Sequence, residues 1–307
     1  MPKKEETQVA TTGTTAVAKF DPAAYAQYAG RGFEENDQSL MKLPIIKLCQ
    51  SGTAIVKEPK GQRPAHLKDV DAGWLIDTVT EEVWDIVRPA GSSKREGVEI
   101  VPVHFSHCFT RWKPDMGGFV DKYPYLDPRC QQIKKTGEFG NLQYDGDDLF
   151  EDVELYSLIK SKSGAPLQVV FDLRSTALGS FKDWNGKSAR FCLPNPDPQG
   201  KSFYFPLFAH RTLVYSTFMP KAGEKPSYFK IGFEPLNLDD SGKPSFYDSI
   251  LPATDPRFTE AAIFQEQVVA NAVVADHAST VSGAAASTGK ADNTTDTGFK
   301  AKAAGGF

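Results

Sequence analysis

Short stretches in which apolar and less apolar residues alternate recur along the chain and predict a protein built mainly from β-strands. The clearest lies at residues 98–108, where Val101, Val103 and Phe105 occupy every second position. A period of two is typical of a strand that buries one face. Further strands are predicted at residues 40–50, 74–78, 83–87, 153–160, 167–173, 203–218 and 227–234.

Two longer helices complete the pattern. Residues 175–186 predict a helix with Ser175 or Thr176 as its N-cap. Asp255 and Pro256 predict the start of a second helix that continues to about residue 278. This start is expected because aspartate caps helix N-termini and proline fits the first helical position.

The predicted elements divide the chain into four parts. Residues 1–38 form a flexible N-terminal arm, 39–253 a β-rich core, 254–278 a C-terminal helix and 279–307 a disordered tail. Within the core, residues 121–150 hold many Gly, Pro and Asp positions and are expected to form a long loop. Strands joined mainly by turns predict a mainly β (α+β) fold, most simply an elaborated antiparallel Greek-key barrel.

Composition narrows the class of protein. Of 307 residues, 24% are charged and 40% are hydrophobic, and the net charge is −4, as is typical of a soluble globular protein. No apolar run approaches ~18 residues, so neither a transmembrane helix nor a membrane partner is predicted. The N-terminus lacks the apolar segment of a secretory signal. Four cysteines lie far apart without a CxxC pair, which favours free thiols in a reducing cytoplasm.

Acidic residues concentrate in one segment, residues 145–154, which holds six Asp and Glu residues. A charge run of this kind is typical of a solvent-exposed face. The alternative is a divalent metal site at Asp147 and Asp148 that serves nucleic-acid cleavage. The segment lacks the order of a calcium-binding loop.

No sequence motif supports another kind of catalytic site or metal site. His104 and Cys108 would share one face of their strand and His107 the other, so these ligands do not converge on a metal. The chain contains no GxSxG, GxxxxGKS/T or GxGxxG motif. We therefore expect no catalytic residue, no metal and no cofactor, and a protein that is not an enzyme.

Basic residues repeatedly neighbour aromatic ones. Arg111, Trp112 and Lys113 put an indole between two cations, and the aromatic strands at 203–234 add Tyr215 and Lys230. Such groups hold single-stranded nucleic acid because bases stack on rings and phosphates pair with cations. The alternative is that the rings form the core and the cations face solvent. The predicted nucleic-acid-binding residues are Arg111, Trp112, Lys113, Phe119, Lys122, Tyr123, Arg174, Lys182, Trp184, Lys187 and Arg190.

Several sequence blocks in a fixed order resemble one group of proteins. The blocks are LPIIKLCQSG, GWLIDTVTEEVW, IVPVHF, RWKP, GGFV, VVFDLRSTALGSFKDWN and FPLFAHRTLVYSTF, and they span roughly residues 40–235. Their order resembles bacteriophage-encoded proteins that are found with replication and recombination genes and are regarded as single-stranded DNA-binding proteins. The resemblance implies an OB-like barrel that coats single-stranded DNA without a cofactor.

The residues and the resemblance together predict sequence-independent binding of single-stranded DNA in phage replication or recombination, in the host cytoplasm. A homo-oligomer is compatible with this prediction. Phe307 ends a lysine-containing tail that lacks the acidic run of many such binders, and it is predicted to dock in a replication or recombination protein. Two alternatives are a virion or assembly structural protein and a metal-dependent nuclease.

Overall fold

The computed structural model describes residues 42–89, 92, 95–114, 117–136, 142–193, 203–221, 227–237 and 245–277. All of these residues lie in one compact unit, Gln38–Phe307. The predicted N-terminal arm and the predicted tail with Phe307 lie outside the described residues.

The described residues form fourteen β-strands, several of them only two residues long, and four α-helices. The strands are β1 (Lys42–Leu43), β2 (Ile45–Leu48), β3 (Leu75–Asp77), β4 (Val83–Trp84), β5 (Val98–Trp112), β6 (Phe119–Pro124), β7 (Leu142–Tyr144), β8 (Asp147–Lys160), β9 (Pro166–Arg174), β10 (Cys192–Leu193), β11 (Phe203–Tyr204), β12 (Thr212–Met219), β13 (Tyr228–Pro235) and β14 (Val274–Ala275). The helices are α1 (Ala54–Lys57), α2 (Pro128–Thr136), α3 (Ser175–Ser188) and α4 (Pro256–Val269), and short 3₁₀ turns lie at Ala65–Leu67 and Leu207–Ala209.

One large sheet dominates the fold, with the strand order β13-β12-β5-β8-β9-β2-β3-β4, while β6 pairs with β5 and β7 with β8. Within this sheet all neighbours are antiparallel except β2 and β9. The sheet curls strongly into an open half-barrel. The mainly β class and the OB-like architecture predicted from the sequence are therefore confirmed.

The centre of the sheet is buried on both faces. On one face Phe181 and Trp184 of α3 pack with strand residues that include Leu155. On the other face Phe264 of α4 packs with residues that include Tyr156. Adjacent residues of β8 therefore enter different cores, and the sheet is stabilised by helices from both sides.

A β-bulge in β5 changes the face of the sheet on which Phe105 lies. The pairing register with β8 shifts between Pro102 and His104. Val101 and Val103 pack in the α4 core, whereas Phe105 packs against the α3 core. The expectation that Phe105 shares their face was wrong, because a bulge reverses the alternation of side chains beyond it.

The chain after β4 returns to the opposite end of the sheet. Val87 forms an isolated parallel bridge with Ser216 of β12. The Ser216 N–H donates to the Ile86 carbonyl at 2.8 Å, and its carbonyl accepts from the Arg88 N–H at 2.8 Å. These bonds tie the two ends of the curled sheet together.

Residues 121–150 do not form the predicted loop, because they contain β6, α2, β7 and the start of β8. Their sparse apolar residues suffice for a small core of their own, in which Tyr123, Cys130 and Leu149 surround Phe109. The expected long loop is therefore absent from the described part of this segment.

Helix α4 begins as predicted and ends earlier. The Asp255 carboxylate accepts a hydrogen bond from the Arg257 N–H at 2.9 Å, and Pro256 opens the helix. The helix ends at Val269, and β14 then pairs in parallel with β1. At α3 the N-cap is Arg174, without a side-chain cap bond, so the prediction of Ser175 or Thr176 was wrong.

Gly73 lies where the two ends of the sheet meet, and it provides a test of the packing there. It has a φ of +94°, and an added Cβ would lie 2.6 Å from the Phe229 ring and 2.7 Å from Val87. We expect Gly73→Ala to lower the free energy of unfolding by at least about 2 kcal/mol, because strain and overpacking act together. Urea denaturation measures this loss. Gly52→Ala is the control, since nothing lies within 4 Å of its added Cβ. Equal stability of the two variants would contradict the predicted packing.

Candidate nucleic-acid interface

Among the predicted nucleic-acid-binding residues at 111–123, two rings are buried and the ring of Phe119 is half-buried. Trp112 is only 2% exposed, and its indole N–H donates to Thr110 Oγ1 at 3.0 Å. Tyr123 is buried beneath the Arg129 guanidinium, and Phe119 stacks on His277 with ring centroids 4.6 Å apart. The stacking of a base on Trp112 is incompatible with this burial, which matches the alternative of an indole in the core.

The cations that flank Trp112 pair with one buried carboxylate. Arg111 Nε lies 2.7 Å from Asp147 Oδ2, and Lys113 Nζ lies 3.2 Å from Asp147 Oδ1. Burial by itself raises the pKa of Asp147, but the hydrogen bonds from Arg111 and Lys113 outweigh it and hold the pKa below its usual value. Arg111 Nη1 also lies 3.6 Å from Asp145 Oδ2, so two carboxylates compensate the two cations.

Lys122 pairs with Glu154, whose side chain is fully buried in the sheet. Its Nζ lies 2.8 Å from Glu154 Oε2, while His277 Nε2 lies 2.8 Å from Glu154 Oε1. Burial raises the pKa of Glu154, but the hydrogen bond from His277 and the charge of Lys122 prevail and lower it to about 2. Glu154 is therefore an ionised member of a buried network.

Arg174 completes this network between two aspartates. It lies 2.9 Å from an Asp152 oxygen and 2.8 Å from an Asp172 oxygen, and it stacks over the Trp112 ring at 4.9 Å. Burial, together with the neighbouring charge of Asp172, raises the pKa of Asp152 well above its usual value. The Arg174 guanidinium serves this internal network and not an open surface.

The acidic segment is therefore not the predicted solvent-exposed face. Asp147, Asp152 and Glu154 are buried, because cations on neighbouring strands compensate their charges. Within the described residues no group of three or more His, Cys, Asp or Glu side chains could hold a metal ion. Asp147, which the nuclease alternative requires, is engaged by Arg111 and Lys113.

The predicted nucleic-acid-binding residues at 182–190 divide between buried and exposed positions on α3 and just beyond its end. Trp184 is 2% exposed and packs in the core, so its ring face is closed to a base. Lys182 pairs with Glu151 at 2.9 Å. Lys187 and Arg190 are exposed, and no carboxylate of the described residues lies within ion-pair distance of either cation.

An open groove of about 590 Å³ runs between α3 and the β12–β13 hairpin. We call it the α3–β13 groove. It is lined by Ser180, Asp183, Trp184 and Lys187 of α3, Tyr215 and Thr217 of β12, residues 230–235 of β13, and Phe246. Of the predicted site residues, it brings together Trp184 and Lys187.

The charge of the α3–β13 groove is predominantly positive. Lys187 and Lys230 lie on its two walls without a carboxylate partner among the described residues. Glu234 also lines the groove, but it pairs with Arg88 at 2.8 Å and Arg95 at 3.3 Å. The lining alone holds two lysines and two carboxylates, and the two arginines beside Glu234 make the local charge positive.

Sequence reasoning missed the arginines of this site. Arg88 stacks over the Tyr215 ring at 3.7 Å from its centroid, and Arg95 donates to the Pro235 carbonyl. Both arginines come from the connection between β4 and β5, far from the hairpin in sequence. The pairing of Tyr215 with Gly232 across the hairpin was accessible from the alternation, whereas the approach of Arg88 was not.

The buried network at Glu154 predicts a specific pH dependence of stability. A carboxyl group whose pKa is lowered by folding stabilises the protein above its unfolded pKa of about 4.3, and this contribution is lost as the pH falls towards 2. We expect Glu154→Gln to remove up to about 3 kcal/mol of stability at pH 7 and progressively less between pH 5 and pH 3. Urea denaturation across this range measures the difference. Asp183→Asn, at an exposed carboxylate, is the control, and a difference independent of pH would refute the assignment.

No helix in the described part of the chain is long and apolar enough to cross a membrane. Comparison with curated proteins and with solved structures found no match. A family model described as Pam3 phage gp34-like protein matches residues 11–273. This match confirms the bacteriophage part of the resemblance, and its description names no activity. Because the matched region covers most of the sequence, the chain belongs to the Pam3 phage gp34-like protein family.

Proposed function

We propose that this phage protein binds single-stranded DNA, independently of base sequence, in the α3–β13 groove. The observation that carries the proposal is the presence of Lys187 and Lys230 on the two walls of an open groove, without carboxylate partners among the described residues. The phosphates of an extended polyanion can pair with these two lysines.

Aromatic residues beside the lysines supply the second requirement. Phe233 and Phe246 are partly exposed and line the same groove. Unpaired bases expose apolar faces that stack on such rings, and this contact is tolerant of base identity. In a duplex the same faces are stacked on neighbouring base pairs, so the groove favours the single strand.

The exposed end of α3 extends this surface. Arg190 lies two residues beyond the end of α3, and the ring of the neighbouring Phe191 lies 6.2 Å from the ring of Tyr247. Tyr247 is 63% exposed, so a base leaving the groove meets an open ring close to a cation. This arrangement suits a strand that passes over the protein, as coating during replication or recombination requires.

Other parts of the proposal concern partners and location. A protein that coats DNA in replication acts without catalysis and without a cofactor, in the cytoplasm of the infected host. The terminal Phe307 would dock in a replication or recombination protein. No feature of the described residues favours a virion or nuclease role over DNA binding.

Lysine substitutions in a salt series test the proposal. We expect tight binding of labelled oligo-dT, weak binding of the matching duplex, and loss of affinity with rising salt. Lys187→Ala and Lys230→Ala should each reduce the dependence of log K on log salt concentration by about 0.7, the value for one phosphate contact on a single strand. Fluorescence polarisation measures both affinities.

Lys182→Ala is the matched control, because Lys182 lies on the same helix but pairs with Glu151. Its affinity and salt dependence should stay at the wild-type values. Failure of the protein to bind oligo-dT at low salt would overturn the proposal and favour a structural role in the virion or its assembly.

A further inference from the structure

The outer edge of β13 presents unused main-chain groups to the α3–β13 groove. Ser216 is opposite Ile231 in the β12–β13 register, and its N–H and carbonyl bond to the opposite side, to Arg88 and Ile86. The pair is therefore a non-hydrogen-bonded one, in which the main-chain groups of Ile231 also point away from β12.

The neighbouring residues confirm this alternation. The Phe229 N–H and carbonyl bond to the side chain of Gln50 at 2.9 Å and 2.7 Å, and the Pro235 carbonyl accepts from Arg95. Ile231 and Phe233 lie between these two positions and share their orientation. Among the described residues nothing bonds to the outward N–H and carbonyl groups of Ile231 and Phe233.

An independent unpaired donor lies in the same groove. Trp184 lines the groove and is 2% exposed, yet its indole N–H has no hydrogen-bond partner among the described residues. A buried donor without a partner costs about 1–3 kcal/mol, and buried polar groups are almost always satisfied in folded proteins. The indole N–H and the β13 edge thus both hold hydrogen-bonding groups that a polar ligand can satisfy.

We propose that these groups bind the Watson–Crick edges of unpaired bases, so that bases face β13 and Trp184 while phosphates face Lys187 and Lys230. The inference rests on the proposed function and specifies how the strand lies in the groove. Trp184 then contributes its indole N–H and not the ring face that the sequence had suggested.

The mixture of donors and acceptors favours a base over a phosphate at this edge. Ile231 and Phe233 each offer one N–H donor and one carbonyl acceptor. A phosphate oxygen only accepts and would leave both carbonyls unpaired, whereas every base edge carries donor and acceptor groups together. Hydrogen bonding to the Watson–Crick edge is a common way to hold unstacked bases.

This orientation gives a physical reason for single-strand selectivity. In a duplex the Watson–Crick edges are engaged by the complementary strand, so β13 and Trp184 could bind them only after the pairs open. All four bases offer mixed edges, so the same contact remains compatible with weak dependence on sequence.

Modified oligonucleotides of equal charge test the orientation. The probes are labelled oligo-dT, an oligonucleotide of the same length built from N3-methylthymidine, and an abasic strand of the same length. Each is titrated at one fixed salt concentration. Methylation at N3 removes the donor of the Watson–Crick edge but keeps the ring and the phosphates. We expect N3-methylthymidine to bind roughly tenfold or more weakly than oligo-dT, because each lost hydrogen bond costs about 1 kcal/mol.

The outcomes separate this inference from the proposed function. If N3-methylthymidine binds as tightly as oligo-dT and more tightly than the abasic strand, the function stands and the edge contact is refuted. If oligo-dT itself does not bind, the proposed function fails. Equal binding of all three probes also overturns the inference, because phosphates alone would then carry the affinity.

Trp184→Phe isolates the indole N–H within the folded protein. It keeps an aromatic ring and deletes an unpaired donor, so we expect about three- to tenfold weaker oligo-dT binding. The affinity for the N3-methylthymidine oligonucleotide should change less.

The control is Trp112→Phe, which deletes a paired indole N–H in the buried network and should lower stability while leaving DNA affinity unchanged. Unaltered oligo-dT affinity of a folded Trp184→Phe variant would overturn the role of the indole.

Discussion

The pairing of buried carboxylates with cations across β5, β6, β8 and β9 is the constraint on which the centre of the sheet depends. A carboxylate leaves water only where positive charge and hydrogen bonds replace its hydration. Glu154 meets Lys122 and His277, and Asp152 meets Arg174. Shifting one strand by a residue would move these groups to the wrong face of the sheet. The ion pairs therefore select the register more than they add net stability.

Much of the fold was predictable because hydrophobic alternation directly reflects which side of a strand is buried. The hairpin of β8 and β9, the β12–β13 hairpin and the start of α4 at Pro256 all followed from local patterns. The end of α4 did not, because residues 274–275 pair with β1 near the other end of the chain. Likewise, the small core around Phe109 becomes visible only when β6 and β7 flank the central strands.

The candidate site was predictable in chemistry and only partly in position. In α3 the residues Leu178, Phe181 and Trp184 are buried, whereas Lys187 near the end of the helix and Arg190 beyond it are exposed. Residues 111–113 carry no comparable signal in the sequence, because Arg111 and Lys113 pair with Asp147 across the sheet. Ion pairing between strands depends on the register of the sheet, so it cannot be predicted from the properties of single residues. A cluster of cations in a sequence thus predicts a binding surface only after its internal carboxylate partners are known.

The capped edge of β13 has a consequence for how the protein behaves at high concentration. An open strand edge is a template for pairing with another chain, and such pairing leads to fibres and precipitates. Gln50 occupies this edge at Phe229, and Pro235 brings no N–H to the other end. Only two residues of hydrogen-bonding edge remain between them, too short a template for a stable added strand. The short edge thereby protects the protein from aggregating with its own copies.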